Sequence, residues 1–238
     1  MWKKVLIVSL AFNLLATGYV VYRLWSKLEI VSLFGGSAAI DRERAPHESD
    51  IYLTRNSLFE VLPMDSDMTV MLGNSLTAGG EWQELLHDAG VRNRGIGGDG
   101  VDGVYHRLDQ VLAMRPRRIF LMIGINDLLA RREVDDVIAG HERILDRIKA
   151  ASPGTTLVVQ SLLPLNEGMM GMRRNELVLR TNQALKELCA RKGVPYLDLH
   201  PLFVDEAGQL REEFTSDGIH LTGQGYLEWA RMLRSELH

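Results

Sequence analysis

Residues 69–80 read TVMLGNSLTAGG. Thr69 to Leu72 have the β-branched and apolar character of a short buried strand, and Gly73 breaks the run. Ser75 follows almost at once, and small residues continue to Gly80. Such a stretch is either a strand ending in an ordinary polar turn or a nucleophile held at the rim of a sheet. The rest of the chain separates these readings.

Further strand runs are expected at 91–96 (VRNRGI), 118–123 (RIFLMI), 156–161 (TLVVQS) and 194–199 (VPYLDL). Amphipathic stretches lie between them. Val101, Val104, Leu108 and Val111 share one helical face, Val137, Ile144 and Ile148 a second, and Leu177, Ala184, Leu185 and Leu188 a third. The β-α order repeats about five times and ends in a helix over about 223–237. This alternation predicts an α/β domain whose parallel sheet is covered on both faces. In open parallel sheets ligands bind beyond the carboxyl ends of the strands. Ser75 follows the first run, Gly95 and Gly97 close the second, Asn126 follows the third, and His220 lies beyond the fifth.

The N-terminal region differs. Residues 5–25, VLIVSLAFNLLATGYVVYRLW, are nearly all apolar, with Lys3 and Lys4 before them and Arg23 and Lys27 near their far end. A bilayer core needs about 20 such residues in a helix. The run continues past the poor small-residue site at 16–18, which favours an uncleaved anchor over a cleaved signal. The expected organisation is an N-terminal hydrophobic transmembrane helix within 1–30, a linker over 31–50 (small and charged from residue 35), and a domain over 51–238. A single-pass protein with its domain outside the cytoplasm, periplasmic or at the cell surface, is the expected localisation. The formal net charge of −4, with both signs interleaved over 238 residues, gives no footprint for nucleic acid. The single cysteine, Cys189, excludes an intrachain disulfide and a thiolate metal cluster, and its register with Leu185 and Leu188 reads as a buried structural thiol.

An aliphatic hydroxyl needs an adjacent base to act as a nucleophile. The segment TSDGIHLTGQGY supplies His220, with Asp217 three residues earlier to fix its tautomer and stabilise the imidazolium. Read alone, the same segment is a helix-entry turn built on Asp-Gly. Acyl transfer also needs donors for the developing oxyanion, and the backbone N–H groups of Ser75 and Gly95 and the side-chain amide of Asn126 are the candidates.

GNS at 73–75, NRGIGG at 93–98, GIND at 124–127 and DGIH at 217–220 together resemble the four ordered blocks of the SGNH, or GDSL-type, serine hydrolases. The resemblance covers residues 67–238. It implies a flavodoxin-like, three-layer α/β/α sandwich with a five-stranded parallel sheet. It also implies Ser75 as nucleophile, His220 as base, Asp217 as its orienting acid, and an oxyanion hole of Ser75, Gly95 and Asn126. No metal or cofactor is implied. Asn74 departs from the family's commoner Gly-Asp-Ser, and the wording is similar to the branch holding platelet-activating-factor acetylhydrolase-like and carbohydrate O-acetyl esterases. The expected function is therefore hydrolysis of short-chain, acetyl-type esters, on carbohydrate among other carriers, through an acyl-enzyme. Lysophospholipid or thioester hydrolysis is the alternative within the fold. A non-catalytic, membrane-tethered glycan- or lipid-binding module is the alternative from another class. The partners expected are an ester substrate and the membrane.

Competing features are weaker. GIGGDG at 95–100 satisfies the dinucleotide-binding glycine pattern, but the acid after the next strand, Asp127, comes about ten positions too late. His200 in DLHPLF is a rival base without a matching block, and His141 falls on an apolar helix stripe. Met169, Met170 and Met172 lie in a loop after LLPLN and are candidates for substrate contact through an adaptable apolar surface.

Overall fold

All five residues of the strand Thr69–Gly73 are buried, as a strand covered on both faces requires. In the computed structural model of the chain, residues 46–63 and 66–237 are described. The anchor expected within 1–30 lies outside them, as does the linker up to residue 45. Among the described residues no helix is long and apolar enough to cross a membrane. At the end of the expected linker, Pro46–Glu48 forms a 3-10 turn.

The elements run in chain order as α1 (Asp50–Val61), β1 (Thr69–Gly73), α2 (Ser75–Ala78), α3 (Trp82–Leu86) and β2 (Val91–Gly95). There follow α4 (Val101–His106), α5 (Leu108–Ala113), β3 (Arg118–Met122), α6 (Ile125–Leu129), α7 (Val134–Ala151) and β4 (Thr156–Gln160). The chain closes with α8 (Glu167–Met170), α9 (Asn175–Lys192), β5 (Tyr196–Leu197), α10 (His200–Phe203) and α11 (Gly223–Leu237).

The sheet has strand order β2-β1-β3-β4-β5, with every pairing parallel. Alternate residues face opposite layers. Val70, Leu72, Ile119, Leu121 and Val159 pack with α4, α5, α7 and α9 in one core. Met71, Phe120, Met122 and Val158 pack in the other, against Trp82, Leu86, Phe203, Trp229 and Leu233. The arrangement is the three-layer α/β/α sandwich with a five-stranded parallel sheet. Its order changes direction between β1 and β3, the switch point where such sheets bind ligands.

Three local differences from the sequence reading have physical causes. The fifth strand shrinks to Tyr196–Leu197 because Pro195 has no donor and the Val194 N–H is spent on the Cys189 carbonyl, at 2.9 Å. The face formed by Val101, Val104, Leu108 and Val111 belongs to two helices, broken at Arg107. Helix α1 has no counterpart among the elements expected from the sequence. It buries Tyr52 and Phe59 on one side, is capped by Ser49 accepting the Tyr52 N–H at 3.2 Å, and otherwise shows solvent a mixed surface.

Candidate active site

Ser75 is the first residue of α2, immediately beyond β1. Asn74 caps that helix, its Oδ1 accepting the Leu76 N–H at 3.0 Å. Gly73 is required because a Cβ there would lie 2.3 Å from both the Met122 carbonyl oxygen and Thr77 Oγ1. The turn at β1 is thus closed on both sides, which fixes the direction in which Ser75 emerges.

His220 arrives from a loop pinned by an antiparallel bridge between Thr215 and Leu221. Asp217 Oδ1 accepts the backbone N–H groups of Ile219 (3.0 Å) and His220 (2.8 Å), while Oδ2 lies 2.6 Å from His220 Nδ1. An ionised carboxylate only accepts, so Nδ1 carries the proton and Nε2 is left as an acceptor. Ser75 Oγ stands 3.1 Å from that Nε2. Partial burial pushes the Asp217 carboxyl up, but the hydrogen bonds from the His220 ring and the two backbone donors outweigh it and hold the group down at about 2. Residues 145 positions apart therefore form one hydrogen-bonded line from carboxylate to imidazole to hydroxyl.

Asn126 opens α6 just after β3, and its Nδ2 donates to the Asp99 carbonyl at 2.8 Å. One of its two amide hydrogens remains for a ligand. The Ser75 N–H likewise has no protein partner among the described residues. Gly95 does not meet its expectation as an oxyanion donor. Its N–H donates to Asn93 Oδ1 at 2.8 Å, so the group is already spent. The glycine is needed for packing: a Cβ at Gly95 would come within 2.2 Å of the Ala78 nitrogen. Asn93 completes that join by donating to the carbonyls of Thr77, Ala78 and Gly80 at 3.0–3.1 Å. Within the same block, the N–H groups of Gly97 and Gly98 have no protein partner among the described residues. Gly98 has φ +76 and open space where a Cβ would be. Sequence spacing located this block but not which of its N–H groups is free.

The loop holding those glycines rests on a buried ion pair that sequence reasoning missed. Arg107 Nε donates to Asp99 Oδ2 at 2.9 Å, and its remaining nitrogens donate to the carbonyls of Arg94 (2.8 Å) and Gly73 (3.0 Å). Burial pushes Asp99 up to about 6 against the pull of Arg107. Asp127 also has a structural place, accepting from the Val101 N–H at 3.2 Å and from Arg132 at 3.2 Å.

Met169 and Met172 are exposed, whereas Met170 packs against the core. Gly218, beside Asp217, has φ +92, and a Cβ there would lie 2.7 Å from Met170 Cγ and 3.1 Å from Met169 Cβ. The methionine loop therefore abuts the His220 loop. His200 sits at the start of α10 with its N–H on Ser161 Oγ at 2.9 Å, and no contact joins it to Ser75. His141 is buried on α7, where burial lowers it to about 4 against hydrogen bonds to the Val137 and Ile123 backbone. Cys189 is buried, which raises its thiol to about 11. Among the described residues no cluster of three or more His, Cys, Asp and Glu side chains has the arrangement of a metal site.

A model of the GDSL-like lipase/acylhydrolase family matches residues 71–227. Platelet-activating factor acetylhydrolase IB subunit alpha1 of Pongo abelii is 30% identical over 163 residues, covering 66% of this chain and 67% of its own. The chain thus spans about two thirds of the length of that relative. A solved structure from Streptococcus pneumonia, described as a platelet activating factor, superposes with a TM-score of 0.73 at 27% identity, covering 89% of this chain and 99% of its own. A carbohydrate esterase family 3 protein from Talaromyces cellulolyticus shares the fold, with a TM-score of 0.57 at 18% identity over 71% of this chain and 96% of its own.

Proposed function

Because the chain belongs to the GDSL-like lipase/acylhydrolase family and is a hydrolase acting on ester bonds, we propose that it is a serine esterase for short, acetyl-type acyl groups, working through an acyl-enzyme. The observation that carries this reading is the line Asp217–His220–Ser75, with separations of 2.6 and 3.1 Å. His220 takes the Ser75 proton as Oγ attacks the ester carbonyl. The oxyanion forms among the N–H of Ser75, the side-chain amide of Asn126 and a backbone donor of the Gly97–Gly98 pair. His220 then gives its proton to the departing alcohol, and water repeats the attack on the acyl-serine. The acetylhydrolase relatives, at 30% identity, support the short acyl group. The loop of Met169, Met170 and Met172 is proposed to touch substrate, supported by Met169 and Met170 lying against Gly218 beside Asp217.

Hydrolysis of p-nitrophenyl acetate tests the reading, with Ser75→Ala and His220→Ala as controls. Each is expected to lower kcat by about 10⁴ or more. Wild-type rates from both variants would overturn the site assignment, and no hydrolysis above the Ser75→Ala level would instead favour a non-catalytic binding module. Residues 5–25 are further proposed to anchor the protein, with the domain outside the cytoplasm; their apolar run and basic flanks support this. Release of the full chain from membranes by alkaline carbonate would refute the anchor.

A further inference from the structure

The fold separates the two ends of an ester. Both expected oxyanion donors outside α2 belong to the layer built on α4, α6 and α7: the Gly97–Gly98 loop leads into α4, and Asn126 lies on α6, whose Ile125 and Leu128 join that core. His220 leads instead into α11, which packs in the opposite layer through Trp229 and Leu233. In the tetrahedral intermediate the oxyanion must point to the first layer. The leaving oxygen must lie within reach of His220 Nε2, since it receives that proton. The alcohol half of the substrate therefore extends toward the layer of α3 and α11.

An open cavity of about 720 Å³ lies there, between α3 and α11. Its volume falls within the range of about 300–1,000 Å³ found for small-molecule sites. Gly79 and Thr222 form part of its wall. The Gly79 N–H donates to the Ser75 carbonyl at 2.9 Å, so the two residues are one helical turn, roughly 6 Å, apart. Thr222 is two residues beyond His220, within about 7 Å. Tyr226 locks this wall by donating its hydroxyl to the Leu76 carbonyl at 2.8 Å. Leu85, Tyr226 and Leu227 give the cavity its apolar surface. Leu227 is 51% exposed, one of the few large apolar side chains left uncovered among the described residues. Glu81, Glu84 and Glu213 stand around it with no ion pair among the described residues, against the single Arg234.

We propose that this groove is the leaving-group subsite, and that it selects esters of alcohols with a bulky apolar body while disfavouring anionic ones. The inference rests on the serine-esterase reading above. Leu85 and Leu227 supply the apolar contact, and the unpaired carboxylates repel a negative charge on the alcohol. The acyl group remains outside the groove, so acyl length and alcohol size are read by different surfaces.

The test holds the acyl group constant. The full chain is assayed with phenyl acetate, 2-naphthyl acetate and the anionic 6-acetoxy-2-naphthoate, whose leaving groups are of similar acidity. Wild type is expected to favour 2-naphthyl over phenyl acetate by about tenfold or more in kcat/KM, the scale of extra apolar contact in a pocket. Leu227→Trp fills the groove from its exposed side without disturbing the core. It should raise KM for the naphthyl ester by about tenfold and raise it less for phenyl acetate, whose smaller ring reaches less of the groove. Glu84→Gln combined with Glu213→Gln should improve turnover of the anionic ester several-fold at low salt, and the gain should vanish at high salt. Equal effects of Leu227→Trp on both neutral esters, or none on either, would overturn the subsite. An unchanged anionic-to-neutral ratio in the glutamine variant would overturn the charge selection. Failure of the esterase reading shows separately, as hydrolysis of phenyl acetate that survives Ser75→Ala.

Discussion

Gly95→Ala tests whether this glycine serves packing or catalysis. The added methyl would lie 2.2 Å from the Ala78 nitrogen, 2.6 Å from its Cα and 2.7 Å from the Thr77 carbonyl carbon. All three are backbone atoms, so no side-chain rotation relieves the overlap, and normal contact would require α2 to move outward by more than an ångström. Overpacking costs about 1–3 kcal/mol where neighbours can yield, and here the upper end, about 3 kcal/mol, is expected. For a domain of this size that corresponds to a fall in Tm of about 6–12 °C. Because α2 carries Ser75, activity should fall together with stability. Gly98→Ala is the contrast. Its methyl meets nothing within 4 Å, but φ +76 places alanine in the left-handed region, at a cost of about 1–2 kcal/mol. Thermal unfolding followed by circular dichroism, with p-nitrophenyl acetate kinetics on the same samples, reads both variants. A Gly95→Ala protein with wild-type Tm and a loss confined to kcat would refute the packing role and restore Gly95 as an oxyanion donor.

Asn126→Ala should lower kcat by about 10²–10³, with KM little changed, if its free amide hydrogen meets the oxyanion; steady-state kinetics decide this, and an unchanged kcat would remove it from the hole. Asp217 is held at about 2 and so stays ionised across the assay range. Log kcat/KM should therefore show no break from Asp217 between about pH 8 and about pH 4, and an acid limb steeper than one would mean that Asp217 loses its charge in that range. Asp217→Asn should cost about 10⁴ in kcat by removing the acceptor that fixes the His220 tautomer. His141, lowered to about 4 by burial, binds its proton more weakly folded than unfolded. Its contribution to stability is full above the ordinary histidine value and is lost as pH falls through 4, with a slope of about 1.4 kcal/mol per pH unit between. His141→Leu should flatten the dependence of urea midpoints over pH 4–6.5, and an unchanged slope would refute the assignment.

The sheet was legible because its strands are buried on both faces and read as short apolar runs, each stopped by a turn residue. Its site was legible because parallel topology sends every strand's carboxyl end to one edge. For that reason the sequence alone points to Ser75, Asn126 and His220. What escaped depends on contacts without period. Helix α1 buries Tyr52 and Phe59 on one side but exposes Ile51, Leu53, Leu58 and Val61, so its pattern carries no clean stripe. The Arg107–Asp99 pair joins residues whose spacing means nothing until the β2–α4 loop is closed. Gly95 and Gly98 belong to one glycine-rich block, and only the Asn93 side chain shows which N–H is already taken.

Asn74 can stand where the family more often has aspartate because its side chain serves the turn through an acceptor oxygen. The side chain is fully buried, and its Oδ1 caps the helix that carries Ser75. Capping needs an acceptor oxygen, which Asn and Asp supply about equally. In the proposed mechanism the negative charge comes from elsewhere, from Asp217, which is half-exposed and bound to His220. In that mechanism the first block sets the direction of Ser75, while the last block supplies the proton transfer. A neutral residue at 74 leaves both tasks intact, and spares the fold an ionised carboxylate in a site without solvent.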